Sequence, residues 1–271
     1  MRPRTYTLYI VYILFGAAGL ATTLAAGGCG GSLTMNGPQG DGSVPPPGTP
    51  DATPPPPGTA DADVPPPGTP DAAAPADPLV DQLLALVQNC NNVVGGTYAT
   101  DDGDPSNINV CGLQGAVFWK SDLDIDCDGK RTAVCNEQTD GAYQPQTSTR
   151  DSNGEFLDAS QLPYVVIPLP SNRWSYENSG IDLGQVVAVI YNGKLAYGVF
   201  GDQGPTNIIG EASYAMADLL GIDHDPSSGG TAGPVYFIAF TGASTRVHAI
   251  EDHAEANSIG MTAAEKLLVD N

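Results

Sequence analysis

The dipeptide Asn192-Gly193 stands between two apolar runs, Val186–Tyr191 and residues 195–201. Both central residues of a type I′ turn need positive φ, which Asn and Gly tolerate, so the pair predicts a tight hairpin and commits this part of the chain to an antiparallel sheet. Residues 116–120, 164–169 and 235–240 are rich in branched and aromatic side chains and also read as strands. Asp77 as N-cap and Pro78 as first helical residue predict a helix over 78–89, with Leu79, Leu83, Leu86, Val87 and Cys90 facing inward. Residues 91–115 read as turn-rich with short extended pieces, and a closing helix is expected after the capping box Thr262-Ala-Ala-Glu265. Many strands and few helices predict a mainly β fold, a single barrel-like or sandwich domain with a few peripheral helices.

That domain is not the whole chain. Residues 37–76 collapse to Pro, Gly, Ala, Asp and Thr, with Pro-Pro-Pro-Gly-Thr recurring around Gly48, Gly58 and Gly68. Such a segment buries no apolar area and favours extended polyproline II, so residues 29–76 read as a disordered spacer. Before it, a basic start at Arg2 and Arg4 and an apolar run over 8–20 have the form of a signal peptide, residues 1–28. The run is shorter than the ~20 residues of a membrane span. The small-residue stretch ending at Cys29 resembles a bacterial lipoprotein cleavage site, with Cys29 as the lipidated residue. The expected locations are therefore secreted or lipid-anchored at a bacterial cell surface, with residues 77–271 as the folded domain.

Of 271 residues, 31 are Asp or Glu and 10 are Lys or Arg, a formal charge of −21. Nothing neutralises phosphates at that balance, so nucleic acid is excluded as a partner, whereas a polycation is attracted. A membrane contact is expected only through Cys29, and the domain is expected to be a monomer. Cys90, Cys111, Cys127 and Cys135 form an even set, which in an exported chain predicts two disulfides with three pairings open.

The chemistry is expected between residues 195 and 221. Asp202 follows an apolar strand, and Glu211 is expected in the first turn of a helix whose Ala212, Ala215, Met216 and Leu219 share a face and which stops at Gly221. Gly204-Pro205 and Gly210 allow a tight path that brings two carboxyl groups together, as hydrolysis of a glycosidic bond requires. Two ordinary solvated acids would have the same spacing. Upstream, Asp124, Asp126, Asp128 and Gly129 match positions 1, 3, 5 and 6 of a calcium loop, but position 12 is Cys135 where a bidentate Glu is needed. In an extended strand these alternate acids share one face and suit cationic sugar units; no metal or cofactor is expected. His224, His248 and His253 lack zinc-ligand spacing, and no Gly-x-Ser-x-Gly elbow is present. Trp119, Trp174, Tyr143, Tyr176 and Tyr214 are candidates either for sugar stacking or for core.

Four segments in order carry a resemblance: Asp124-Ile-Asp126-Cys-Asp128-Gly129, Tyr143-Gln-Pro-Gln146-Thr147-Ser148, Leu157-Asp158-Ala159 leading into 162–168, and the stretch holding Asp202 and Glu211. Together they are similar to the chitosanases of glycoside hydrolase family 75, over roughly residues 116–240. The resemblance implies endo-hydrolysis of β-1,4 linkages between glucosamine units of chitosan with inversion, and Asp202 and Glu211 as the essential pair. It also implies a β-barrel, with the double-psi type as candidate, and substrate contacts from Asp124, Asp126, Asp128, Tyr143, Gln146 and Asp158. A helix N-terminus would favour ionised Glu211 as base, and desolvation beside Phe200 would favour Asp202 as acid, with exchange of the roles left open. The competing expectations are a non-catalytic wall-binding module and an acidic endoglucanase on a related barrel.

Overall fold

A computed structural model describes residues 77–271. The expected signal peptide, Cys29 and the spacer lie outside the described residues. Among these residues no helix is long and apolar enough to cross a membrane.

Eight strands form one sheet: β1 (Val93–Tyr98), β2 (Ile108–Leu113), β3 (Ala116–Asp126), β4 (Tyr164–Pro168), β5 (Val186–Tyr191), β6 (Lys194–Gly204), β7 (Glu211–Ser213) and β8 (Thr231–Phe240). Their order is β1-β2-β3-β7-β4-β6-β5-β8, and β8 pairs back onto β3. The last six therefore close a barrel, and β1-β2 extend it along β3. The barrel is mixed: β3 runs parallel to β7 and β4 parallel to β6, while the other barrel pairings are antiparallel. Closure removes the open edge that an antiparallel meander would leave. Mainly β, one barrel and few helices is the fold class expected from the sequence.

The predicted hairpin is present. Tyr191 pairs with Lys194 and Ile190 with Leu195, around Asn192 (φ 47°) and Gly193 (φ 78°). The turn-rich region supplies β1 and β2, and the strand expected at 116–120 continues to Asp126. Every barrel strand sends alternate side chains into one interior cluster, including Trp119, Val165, Val187, Phe200, Ala212 and Phe237. Trp119 stacks on Phe237 with ring centroids 5.2 Å apart, so this aromatic is core. Fully burying a side chain such as Phe200 stabilises by roughly 1.5–3 kcal/mol.

The opposite faces of the strands form a second cluster with helices α1 (Pro78–Leu86) and α3 (His253–Asp270). Asp77 caps α1 by accepting from the Leu79 N–H at 2.9 Å. The closing helix starts well before the expected capping box: Asp252 is its N-cap and accepts from the Glu255 N–H at 2.9 Å. The cysteines pair as Cys90–Cys111 and Cys127–Cys135.

Two local expectations need correction. Glu211 lies on β7, and α2 (Tyr214–Leu220) begins three residues later with Ser213 as its N-cap. The buried side of α2 is Ala215, Met216, Ala217 and Leu220, while Leu219 is exposed. Three residues are too few to show strand periodicity; pairing with β3 decides their conformation. Asp202, for its part, lies within β6 rather than beyond its end.

Candidate active site

Asp202 owes its direction to an irregularity in β6. Val165 pairs with Phe200, but the next residue, Val166, pairs with Asp202, so Gly201 is an extra residue on β6. Strict alternation would turn Asp202 to the same side as Phe200, into the apolar barrel interior. The bulge re-aims it to the outer face, where bulges commonly redirect a side chain. A glycine fits there because a Cβ on Gly201 would meet Tyr164 Cβ at 2.7 Å and Leu157 Cδ1 at 2.9 Å.

Glu211 reaches the same face from β7. Val165 pairs with Ala212, so one antiparallel step sets Glu211 beside Val166. Val166 thus stands between the strands of the two acids. The Glu211 side chain crosses over β4: its Oε2 is 2.9 Å from the position of a Cβ on Gly204, and Val166 Cγ1 is 3.0 Å from the same point. Gly204 is two residues along β6 from Asp202, a step of about 6.6 Å.

Asp202 is almost fully buried. Its Oδ1 accepts from the Ser148 N–H at 2.7 Å, the Ser148 hydroxyl at 2.6 Å and the Gln203 N–H at 2.7 Å. Burial raises its pKa above the usual carboxylate value, against those three donors, which favour the ionised form.

More acids share the face. Asp124 pairs with Glu211 and Asp126 with Ser213 across the parallel β3–β7 ladder. Burial, joined by the charges of Asp128, Asp202 and Glu211, holds the Asp126 carboxyl well above its ordinary range. Burial pushes Asp128 up to about 8, with Asp202, Asp140 and Glu211 adding and the Gln144 N–H, 2.6 Å from its Oδ1, opposing. Asp122 is pushed to about 8 as well, by burial and then by Asp124, Asp101 and Glu211. Its Oδ1 is buried without a hydrogen-bond partner. So many carboxyl groups cannot all ionise cheaply, and a cation among them relieves the strain.

The partial calcium-loop pattern does not fold as a loop: Asp124 and Asp126 belong to β3, and Cys135 is held in a disulfide. Among the described residues, the acids whose oxygens lie within 4.8 Å of one another are Asp101, Asp122 and Asp124.

The other sequence candidates divide. Tyr143 donates its hydroxyl to the Gly129 carbonyl at 2.8 Å and so braces the segment that carries Ser148, while Asp158 closes its own turn, accepting from the Ser160 hydroxyl at 2.6 Å and its N–H at 3.1 Å. Gln146 is exposed on that segment. Trp174 and Tyr176 are buried in the interior cluster. His248 pairs with Glu255, and His224 lies 3.3 Å from Asp218. Sequence reasoning missed Ser148 as the partner of Asp202, and it missed Asp101; Asp122 was legible only as the first acid of the alternating series that runs to Asp128. The polar run 143–148 was the available signal for Ser148, but it read as a sugar contact.

The fold and this face define a closed β-barrel with a row of carboxyl groups on its outer wall. The family described as "Fungal chitosanase of glycosyl hydrolase group 75" matches residues 123–267, and the chain belongs to that family. It is 32% identical to Endo-chitosanase B of Aspergillus oryzae over 156 residues, 51% of this chain and 65% of that protein. It is also 32% identical to an endo-chitosanase of Aspergillus fumigatus over 167 residues, 56% of this chain and 70% of that protein. The matched span contains Asp202, Glu211, Ser148, Asp126 and Asp128.

Proposed function

We propose that this chain is an exported endo-chitosanase that cleaves β-1,4 linkages between glucosamine units with inversion, using Asp202 and Glu211. Asp202, buried and biased toward its neutral form, gives its proton to the glycosidic oxygen as the bond to the anomeric carbon breaks. Glu211, as carboxylate, takes a proton from the water whose oxygen attacks that carbon. Inverting sites hold the two carboxyl groups ~6.5–9.5 Å apart to admit this water, while retaining sites hold them ~5–5.5 Å apart.

One observation carries the reading: the end of Glu211 lies over Gly204, two residues along β6 from Asp202, so both acids border one stretch of the outer wall. Glu211 sits on a strand, so no helix dipole supports its role as base; the assignment rests on the burial of Asp202. Asp124, Asp126 and Asp128 supply carboxyl groups that a glucosamine ammonium would draw into the ionised form, and the charge of −21 concentrates a cationic polymer. The names of the relatives in Aspergillus support the same substrate. Export, with Cys29 as a lipid anchor, is part of the proposal.

The test is viscosity loss on deacetylated chitosan, with chitin and carboxymethylcellulose as controls. Rapid loss on chitosan alone is expected. Loss on carboxymethylcellulose alone would instead establish an endoglucanase, and binding to chitosan without loss would establish a binding module.

A further inference from the structure

Resting on the reading of Asp202 as a reacting group, we propose that Ser148 is its positioning residue, fixing Oδ1 as a permanent acceptor so that Oδ2 is the oxygen that exchanges a proton with the substrate. Three donors converge on Oδ1: the Ser148 N–H and hydroxyl and the Gln203 N–H. Among the described residues Oδ2 receives none. A carboxyl proton on Oδ1 would clash with this donor set, so the protonated acid carries its proton on Oδ2.

The segment holding Ser148 is itself clamped to β6 at the bulge. Thr149 donates its hydroxyl to the Gly201 carbonyl at 2.8 Å and its N–H to the same oxygen at 3.3 Å. Thr147 accepts from the Leu157 N–H at 3.0 Å and donates to the Thr149 carbonyl at 2.9 Å. The extra residue that turns Asp202 outward thereby also frees the carbonyl that anchors the segment carrying its partner. Three successive hydroxyl residues have three separate duties, and Ser148 is the one that touches the carboxyl group. It is exposed and separated from Asp202 by 54 positions, so its duty is not local turn-making.

The experiment is the pH dependence of kcat and KM on glucosamine oligomers for Ser148→Ala and Ser148→Thr. The Ala variant keeps the backbone donor and loses the hydroxyl, which favours the ionised carboxylate. Its kcat should fall about tenfold with KM little changed, the size of effect a hydrogen bond to a charged group gives. The limb of the profile set by Asp202 should move up by about one pH unit. It is the alkaline limb if Asp202 is the acid and the acidic limb if it is the base. The Thr variant, with the hydroxyl kept, should restore the parent limbs. Unmoved limbs in the Ala variant, whether kcat falls or not, would overturn the proposal. Full activity in Asp202→Asn would instead overturn the assignment of Asp202, a separate failure.

Discussion

Asp202 and Glu211 face the same side of the barrel wall from strands parted only by β4, with Val166 between them. Neither position comes from the short turn between them in sequence. Asp202 is turned outward by the bulge at Gly201, and Glu211 is held by a three-residue strand in parallel register with Asp124. Their separation is a property of the barrel.

Gly204 sets how far Glu211 extends. A methyl group there would meet Glu211 Oε2 at 2.9 Å and Val166 Cγ1 at 3.0 Å. Glu211 Oε2 is the far end of a long side chain, whereas Val166 Cγ1 is fixed close to β4, so the carboxylate is displaced and Gly204→Ala should keep its melting temperature within a few degrees. It should lose kcat by roughly 10- to 100-fold, since a 1 Å misplacement can cost about 100-fold. Steady-state kinetics alongside thermal melting checks this.

The proposed inversion fixes the stereochemistry of the first product. Time-resolved proton NMR of the first product from a β-linked glucosamine oligomer should show the α-anomer. A β-anomer forming first would require the carboxyl groups to close to about 5 Å.

The buried acids tie stability to pH. The folded chain holds Asp122 near 8, above its ordinary value of 3.8. A carboxyl group raised by folding contributes stability that is complete below the unfolded value and is lost as pH rises through the folded one. The melting temperature should therefore fall between about pH 4 and pH 8. Asp122→Asn should gain roughly 2–4 °C at pH 8, the change about 1 kcal/mol gives a domain of this size, and nothing at pH 4. Differential scanning calorimetry at both pH values measures it.

The two disulfides should separate in their effects. Cys90–Cys111 closes a separation of 21 residues and Cys127–Cys135 one of 8, for which loop-closure entropy gives about 3 and about 2.5 kcal/mol. Replacing either pair by alanines should lower the melting temperature by roughly 5–12 °C. Only loss of Cys127–Cys135 should also lower kcat, because Cys127 lies between Asp126 and Asp128. Paired melting and activity measurements on the two double variants test this.

What was legible in the sequence was mostly local. Asn192-Gly193 specified its turn and register, and Asp77-Pro78 its cap, because those residue types carry the needed backbone preference themselves. The acids were legible as residues and not as geometry. Glu211 lies just before a true helix, and the three residues of β7 take their shape from β3 and β4. Gly201 looked like an ordinary strand glycine; its role as the extra residue appears only once β4 fixes the register. The start of α3 was hidden because Gly260 interrupts the helical pattern. It is there because a side chain would strike the ring of Tyr197. Sequence patterns report a residue's own preferences, and these features are imposed by neighbours far along the chain.

The most direct measurement is depolymerisation of chitosan by Asp202→Asn and Glu211→Gln, each beside a binding assay on the same polymer. Loss of general acid or base catalysis is worth roughly 100- to 10,000-fold, so each variant should fall by at least about 100-fold while binding chitosan within a few-fold of the parent. Cleavage at the parent rate by both variants would contradict the account.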